Sequence, residues 1–315
     1  IMRFIGIVFA LFSAGSPSDT SAQDSGKKYK VYMVSNSHLD TQWRWDVKAT
    51  IDDYLYNTAV QNLALLEKYP HYVFNFEGAV KYEWIKEYYP HLFERIRKFV
   101  ADGRWNISGA SFEANDPNMP SSESFIRNIL LAQEFYKKEF GIKSKDMFLP
   151  DCFGFSQVMP TLGHHCGLIG FSTQKLSWRT EPLVGDSKTP FPIGLWEGVD
   201  GARIMVALEP GRYSWNEFPE GDLSANEELA ESARKSPFGI AYRYYGNKLA
   251  NGAGDHGGSA LPRSIQLLEE GITNGKGPVQ LVSATSSQLY EDYMPYGNHP
   301  ELPVFVGAMP PVSYT

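Results

Sequence analysis

The residues best suited to chemistry begin at Ser35-Asn36-Ser37-His38-Leu39-Asp40, directly after the apolar run Tyr29 to Val34. In extended chain His38 and Asp40 point the same way, because side chains on a strand repeat every second residue. An imidazole and a carboxylate converging on one point can hold a divalent metal. The pair equally fits a His salt-bridged to its neighbour at a polar strand end, and the spacing alone does not separate the two. Trp43 and Trp45 follow, flanking Arg44. Large aromatic faces beside a polar cluster suit the walls of a sugar pocket, although they also suit a packed core.

Further candidates are Glu113 and Asp116, Asp151, Lys175 and Trp178, and Asp255 and His256. Taken singly, most of these acids fit a solvated loop. Asp151 differs, because between Pro150 and the apolar pair Cys152-Phe153 its carboxylate is costly to bury unless a cation or metal pairs with it. The cluster Gly252-Ala253-Gly254-Asp255-His256-Gly257-Gly258 lacks the Lys-Ser/Thr of a phosphate-cradling loop.

These groups need a scaffold that brings distant segments together. Tyr29 to Val34 reads as a buried strand, Ile51 to Tyr69 as a helix stopped by Pro70, and Tyr72 to Phe76 as a strand ending in Glu77-Gly78. Helices over 81–89 and 91–101, broken at Pro90, lead to a strand over 104–107. Ser121 caps a helix over 124–140 that Gly141 ends. A strand over 147–149, a helix over 159–166 and a strand over 167–172 follow, then a hairpin over 195–206 turning at Asp200-Gly201. Residues 209–223 are loop-like; a helix over 225–236, a strand over 240–245, a helix over 264–270 and a last strand over 278–283 succeed them. The alternation predicts an α/β fold, a mainly parallel sheet or barrel covered by helices. Strand exits gather at one end of such a sheet, so the candidate groups can meet there.

The chain of 315 residues is 43% hydrophobic and 14% aromatic, enough for a large core. Its net charge of −7 offers no basic face for a phosphate backbone, which argues against nucleic acid as a partner. Met2-Arg3, the apolar run Phe4 to Phe12 and small residues at Ser21-Ala22-Gln23 predict a signal peptide over 1–23. A buried N-terminal strand is the alternative. Export predicts a periplasmic or secreted bacterial protein with no membrane span after cleavage. Cys152 and Cys166 are expected to be free and mostly buried thiols.

Several motifs stand in one order along the chain: His38-Leu39-Asp40-Thr41-Gln42-Trp43, Lys81-Tyr82-Glu83-Trp84-Ile85, Pro120-Ser121-Ser122-Glu123-Ser124, Leu149-Pro150-Asp151-Cys152-Phe153-Gly154, Phe171-Ser172-Thr173-Gln174-Lys175-Leu176-Ser177-Trp178 and Gly254-Asp255-His256-Gly257-Gly258. Together they resemble the retaining α-mannosidases of glycoside hydrolase family 38, whose opening domain is an irregular α/β barrel; the resemblance implies an irregular, mostly parallel, barrel-like β/α catalytic domain over 29–307. The resemblance implies that His38, Asp40 and Asp151 bind Zn2+, that Asp151 is also the nucleophile, and that Asp255 is the acid/base. It places Trp43, Lys175 and Trp178 in the pocket wall, with His256 touching the sugar or orienting Asp255. The implied substrate is a mannose-containing oligosaccharide or glycoprotein glycan.

The implied chemistry is consistent with these residue types. A zinc-bound Asp151 stays ionised and able to attack an anomeric carbon, whereas Asp255 must hold a proton for the leaving oxygen. The chain departs from the family pattern near its end. A fourth zinc ligand, a later His, is expected to be absent, and 308–315 reads as an atypical tail. The helix bundle and β-sandwich that follow in family members are likewise expected to be missing, which predicts a poor or inactive enzyme. Two rival readings stand beside the hydrolase: a non-catalytic, metal-assisted mannose-binding fragment, and a metal-dependent deacetylase, which would need no second carboxylate as leaving-group acid.

Overall fold

The computed structural model describes residues 28–177, 189–246 and 255–309. Strand β1 (Tyr29–Asn36) leads to α1 (Val47–Ala49), a π-helical turn over Thr50–Leu55 and α2 (Tyr56–Lys68). Next come β2 (Phe74–Glu77), α3 (Ala79–Tyr88), α4 (Pro90–Ala101), β3 (Trp105–Ser108) and α5 (Ser122–Phe140). The second half holds β4 (Asp146–Phe148), α6 (Val158–His165), β5 (Gly170–Ser172), β6 (Ile193–Glu197), β7 (Arg203–Ala207), α7 (Glu227–Arg234), β8 (Ile240–Gly246), α8 (Pro262–Asn274), β9 (Val279–Ser283), α9 (Gln288–Tyr293) and β10 (Val304–Val306).

Local chemistry sets the helix ends. Asp46 accepts the Ala49 amide at 2.9 Å, so the first helix starts at Val47, four residues before the apolar periodicity becomes visible. Ser121 accepts the Ser124 amide at 3.2 Å, and Gly141 closes α5 at φ 75°, as the sequence predicts. The strand over 279–283 is not the last. The added β10 is only three residues long, too short to show alternation, and is defined by its pairing with β6.

The strands form two five-stranded sheets. In the first, β1 pairs in parallel with β8 along most of its length, Lys30 to Asn36. Its other edge is shared: β9 takes Tyr29 to Met33, and β2 takes Ser35 and Asn36, with β3 beyond β2. The second sheet runs β10-β6-β7-β5-β4, and only its β6–β7 hairpin is antiparallel. The mostly parallel α/β expectation holds. Among the described residues no ladder joins the sheets into a closed barrel; the Ala110 amide donates to the Asp146 carbonyl at 2.9 Å where β3 meets β4.

Period two divides β1 between two interiors. Val31 and Met33 pack with the helices outside the first sheet, while Tyr32 and Val34 face an interior shared with Phe148, Leu195, Met205 and Tyr244 from both halves. A third cluster, with Met147, Phe171, Trp196 and Ile204, covers the far side of the second sheet. Such double-sided burial is why β1 is apolar almost throughout. Polar residues start at Ser35 and Asn36, its last paired positions, at the same end as the exits of β2 and β8.

Candidate active site

His38 and Asp40 leave β1 pointing the same way, as their spacing predicts: His38 Nε2 lies 3.1 Å from Asp40 Oδ1. The other ring nitrogen, Nδ1, lies 3.1 Å from Glu77 Oε1 at the end of β2. The ring is buried, and Asp151 Oδ2, after β4, stands 3.8 Å from Nε2. Burial alone would lower the basicity of His38, but Asp40, Glu77 and Asp151 outweigh it and raise its pKa to about 10.

Asp255 reaches this group through backbone pairing. The Asp40 amide donates to the Asp255 carbonyl at 2.9 Å, the Gly257 amide donates to the His38 carbonyl at 2.9 Å, and Leu39 and His256 form an antiparallel bridge. Asp255 itself has φ 72°, a left-handed conformation that Asp tolerates better than most residues. Behind it Gly257 and Gly258 pack closely against α2. The Gly258 amide donates to Thr58 Oγ1 at 2.8 Å, and its carbonyl accepts from Ser37 Oγ and Asn62 Nδ2, each at 2.8 Å. Gly257 and Gly258 thus serve close backbone approach. Residues 252–254 of the cluster lie outside the described residues.

Asp151 is paired with the fully buried Lys175, whose ammonium also sits 4.6 Å from the centre of the Phe153 ring. The cation that the sequence required beside Asp151 is therefore present. Burial raises the Asp151 carboxyl above its ordinary range, against the pull of His38 and Lys175. Tyr213 links the two catalytic candidates: its hydroxyl hydrogen-bonds Asp255 Oδ1 and stands 3.5 Å from Asp151 Oδ1. Its ring lies 5.2 Å from that of His38. Burial, with Asp151 and Asp255, keeps this phenol protonated by pushing its pKa far up.

The remaining predicted groups divide. Trp43 is 56% exposed, stacked under Arg44 at 4.3 Å and set edge-on to Trp45 at 6.1 Å, so it is not a core residue. Trp45 stacks on His256 at 4.1 Å, and Tyr54 meets the same imidazole edge-on at 4.8 Å. His256 thus borders the site as part of an aromatic wall, one residue from Asp255. Glu113 is half-buried after β3, where burial raises its carboxyl against the attraction of Lys81. Asp116 does not join the cluster; its carboxylate accepts the Asn118 amide at 2.9 Å and closes a turn. Trp178 lies outside the described residues. Cys152 and Cys166 are free, the first buried and the second half-buried.

Glu77, Lys81 and Tyr213 are the site residues that sequence reasoning missed. Glu77 stood at a strand exit like the others and could have been found by that rule. Tyr213 lies in the loop-like stretch 209–223, where no periodicity points to it.

His38 Nε2 is buried with no hydrogen bond of its own, and its nearest neighbours are carboxylate oxygens. His38, Asp40 and Asp255 present ligand atoms all within 4.8 Å of one another, with Asp151 beside them. One imidazole nitrogen among carboxylates at a strand end fits zinc or a similar borderline ion.

Residues 28–306 match the glycosyl hydrolases family 38 N-terminal domain. The chain is 32% identical over 259 residues to alpha-mannosidase 2C1 of Homo sapiens, covering 81% of this chain and 23% of that protein. It is 31% identical over 276 residues to alpha-mannosidase G of Dictyostelium discoideum, covering 88% and 24%. The crystal structure of an alpha-mannosidase from Enterococcus faecalis V583 superposes with a TM-score of 0.68 at 22% identity, covering 90% of this chain and 31% of that one. The chain therefore spans about a quarter of the length of these curated relatives.

Proposed function

The chain belongs to glycosyl hydrolase family 38 through its N-terminal domain, and from that premise we propose that it is a zinc-dependent, retaining α-mannosidase acting on terminal α-mannosides of glycans. The carrying observation is the meeting of His38, Asp40, Asp151 and Asp255 at the strand exits, with one tyrosine reaching both catalytic acids. His38, Asp40 and Asp151 hold the metal in this reading, which when bound orients the sugar hydroxyls and favours ring distortion toward the oxocarbenium-like state.

The side chains divide the remaining work. Asp151, held by Lys175, attacks the anomeric carbon and forms a glycosyl ester. Asp255 gives its proton to the departing glycosidic oxygen and takes one from water in the second step. Tyr213 lies within reach of both carboxyl groups, and the retaining reading requires those groups to stand ~5–5.5 Å apart. The family match, and not the position of Asp255, favours the glycosidase over a metal-dependent deacetylase. Trp43 and the Trp45–His256 stack supply the apolar face on which a sugar ring can lie. Export from the cell, guided by residues 1–23, belongs to the same proposal.

The closeness of Asp255 to His38 and Asp40 favours a second assignment, in which Asp255 is a metal ligand and Asp151, paired with Lys175, is not. Trapping with a mechanism-based 2-deoxy-2-fluoro or 5-fluoro mannosyl donor, followed by mass mapping, decides between them. An adduct on Asp151, abolished in Asp151→Asn, is expected. An adduct on another carboxylate would transfer the nucleophile's role, and mannose binding with no adduct would leave a carbohydrate receptor.

A further inference from the structure

We infer that Glu77 and Lys81 form a buried positioning relay that presents His38 Nε2 to the metal. The inference rests on the zinc reading above. Glu77 closes β2 and is almost wholly buried, with Oε1 3.1 Å from His38 Nδ1. In the neutral ring that a metal requires, that contact keeps the proton on Nδ1 and turns the Nε2 lone pair toward Asp40, Asp151 and Asp255. Lys81, from the first turn of α3, is also fully buried, and its Nζ lies 3.6 Å from Glu77 Oε1. The same Nζ donates to the Leu39 carbonyl at 3.0 Å.

Leu39 is the residue between His38 and Asp40. One ammonium therefore neutralises the carboxylate that orients the first of these residues and also pins the backbone that spaces the first from the second. The turn is built for it: Gly78 has φ 86°, and a Cβ there would stand 2.6 Å from Lys81 Cε. Through these contacts Glu77 and Lys81 act on His38 and on the Leu39 backbone.

The test is zinc affinity of the full chain, read by competition with a chromophoric chelator, for wild type and for the neutral pair Glu77→Gln with Lys81→Met. Replacing both partners removes the buried charges together, and the unfolding midpoint of the metal-free protein should stay close to wild type. Zinc binding should weaken by about tenfold or more. Unchanged affinity in a folded double variant would overturn the relay. In case that variant does not fold, long-range 15N–1H spectra of the wild type read the ring directly. A slowly exchanging, deshielded proton on His38 Nδ1, retained when zinc is added, is expected; zinc on Nδ1 would overturn the inference. If wild type binds no zinc, the metal reading fails, while the Nδ1 proton still decides whether Glu77 holds the ring.

Discussion

His38 meets carboxylates at both ring nitrogens, Glu77 on Nδ1 and Asp40 with Asp151 around Nε2. An imidazole fixed through Nδ1 presents Nε2 to a metal, whose binding must displace the proton that the surrounding acids favour there. Trp43 is the contrasting case, a large side chain left largely in solvent beside a buried polar cluster. Since it supports no core, Trp43→Ala should change folding stability by less than about 0.5 kcal/mol. Its effect should fall on the substrate, raising KM for an aryl α-mannoside severalfold. Urea unfolding together with steady-state kinetics checks both parts, and a large stability loss would return Trp43 to the core.

Among elements, the loop after β8 does the decisive work. Backbone hydrogen bonds tie Asp40 to Asp255 and Gly257 to His38, so loops more than 200 residues apart in sequence share one short antiparallel bridge. Gly257 sits at φ 74°, and a Cβ there would come within 2.3 Å of Thr58 Oγ1. Gly257→Ala should therefore destabilise the protein by roughly 1–3 kcal/mol through backbone strain. Because the bridge also carries Asp255, activity should fall tenfold or more in the fraction that stays folded. Thermal unfolding and active-site titration on the same sample separate the two losses.

For the molecule as a whole, the interior between the sheets contains an ionisable group that takes no part in the site. Asp146 is buried; its Oδ1 receives the Gly109 amide and the Ser144 hydroxyl, each at 3.2 Å, while Oδ2 has no partner among the described residues. Burial raises its pKa from 3.8 to about 6. The folded state thus holds this proton more tightly than the unfolded chain. The contribution is most favourable below pH 3.8 and is lost as pH rises through about 6. Asp146→Asn keeps the acceptor and removes the charge, so it should be more stable than wild type by about 2–3 kcal/mol at pH 7 and nearly equal to it at pH 4. Urea midpoints at the two pH values test this, and parallel pH slopes would show that Asp146 is not the source.

Much was legible from residues alone because strand and cap chemistry are local. The shared direction of His38 and Asp40 follows from the two-residue repeat of extended backbone, the Ser121 cap and Gly141 terminus from hydrogen-bond and φ requirements, and the need of Asp151 for a cation from desolvation. The family followed from several such motifs in one order. Tertiary structure alone decided which groups meet. That Lys175 is the cation beside Asp151, that Tyr213 spans Asp151 and Asp255, that Glu77 and Lys81 lie beneath His38, and that Asp116 stays away all depend on how the exits of separate strands are set by sheet register. Register is a property of paired strands. No single segment carries it, so composition and spacing name the candidates, and packing of the two sheets chooses among them.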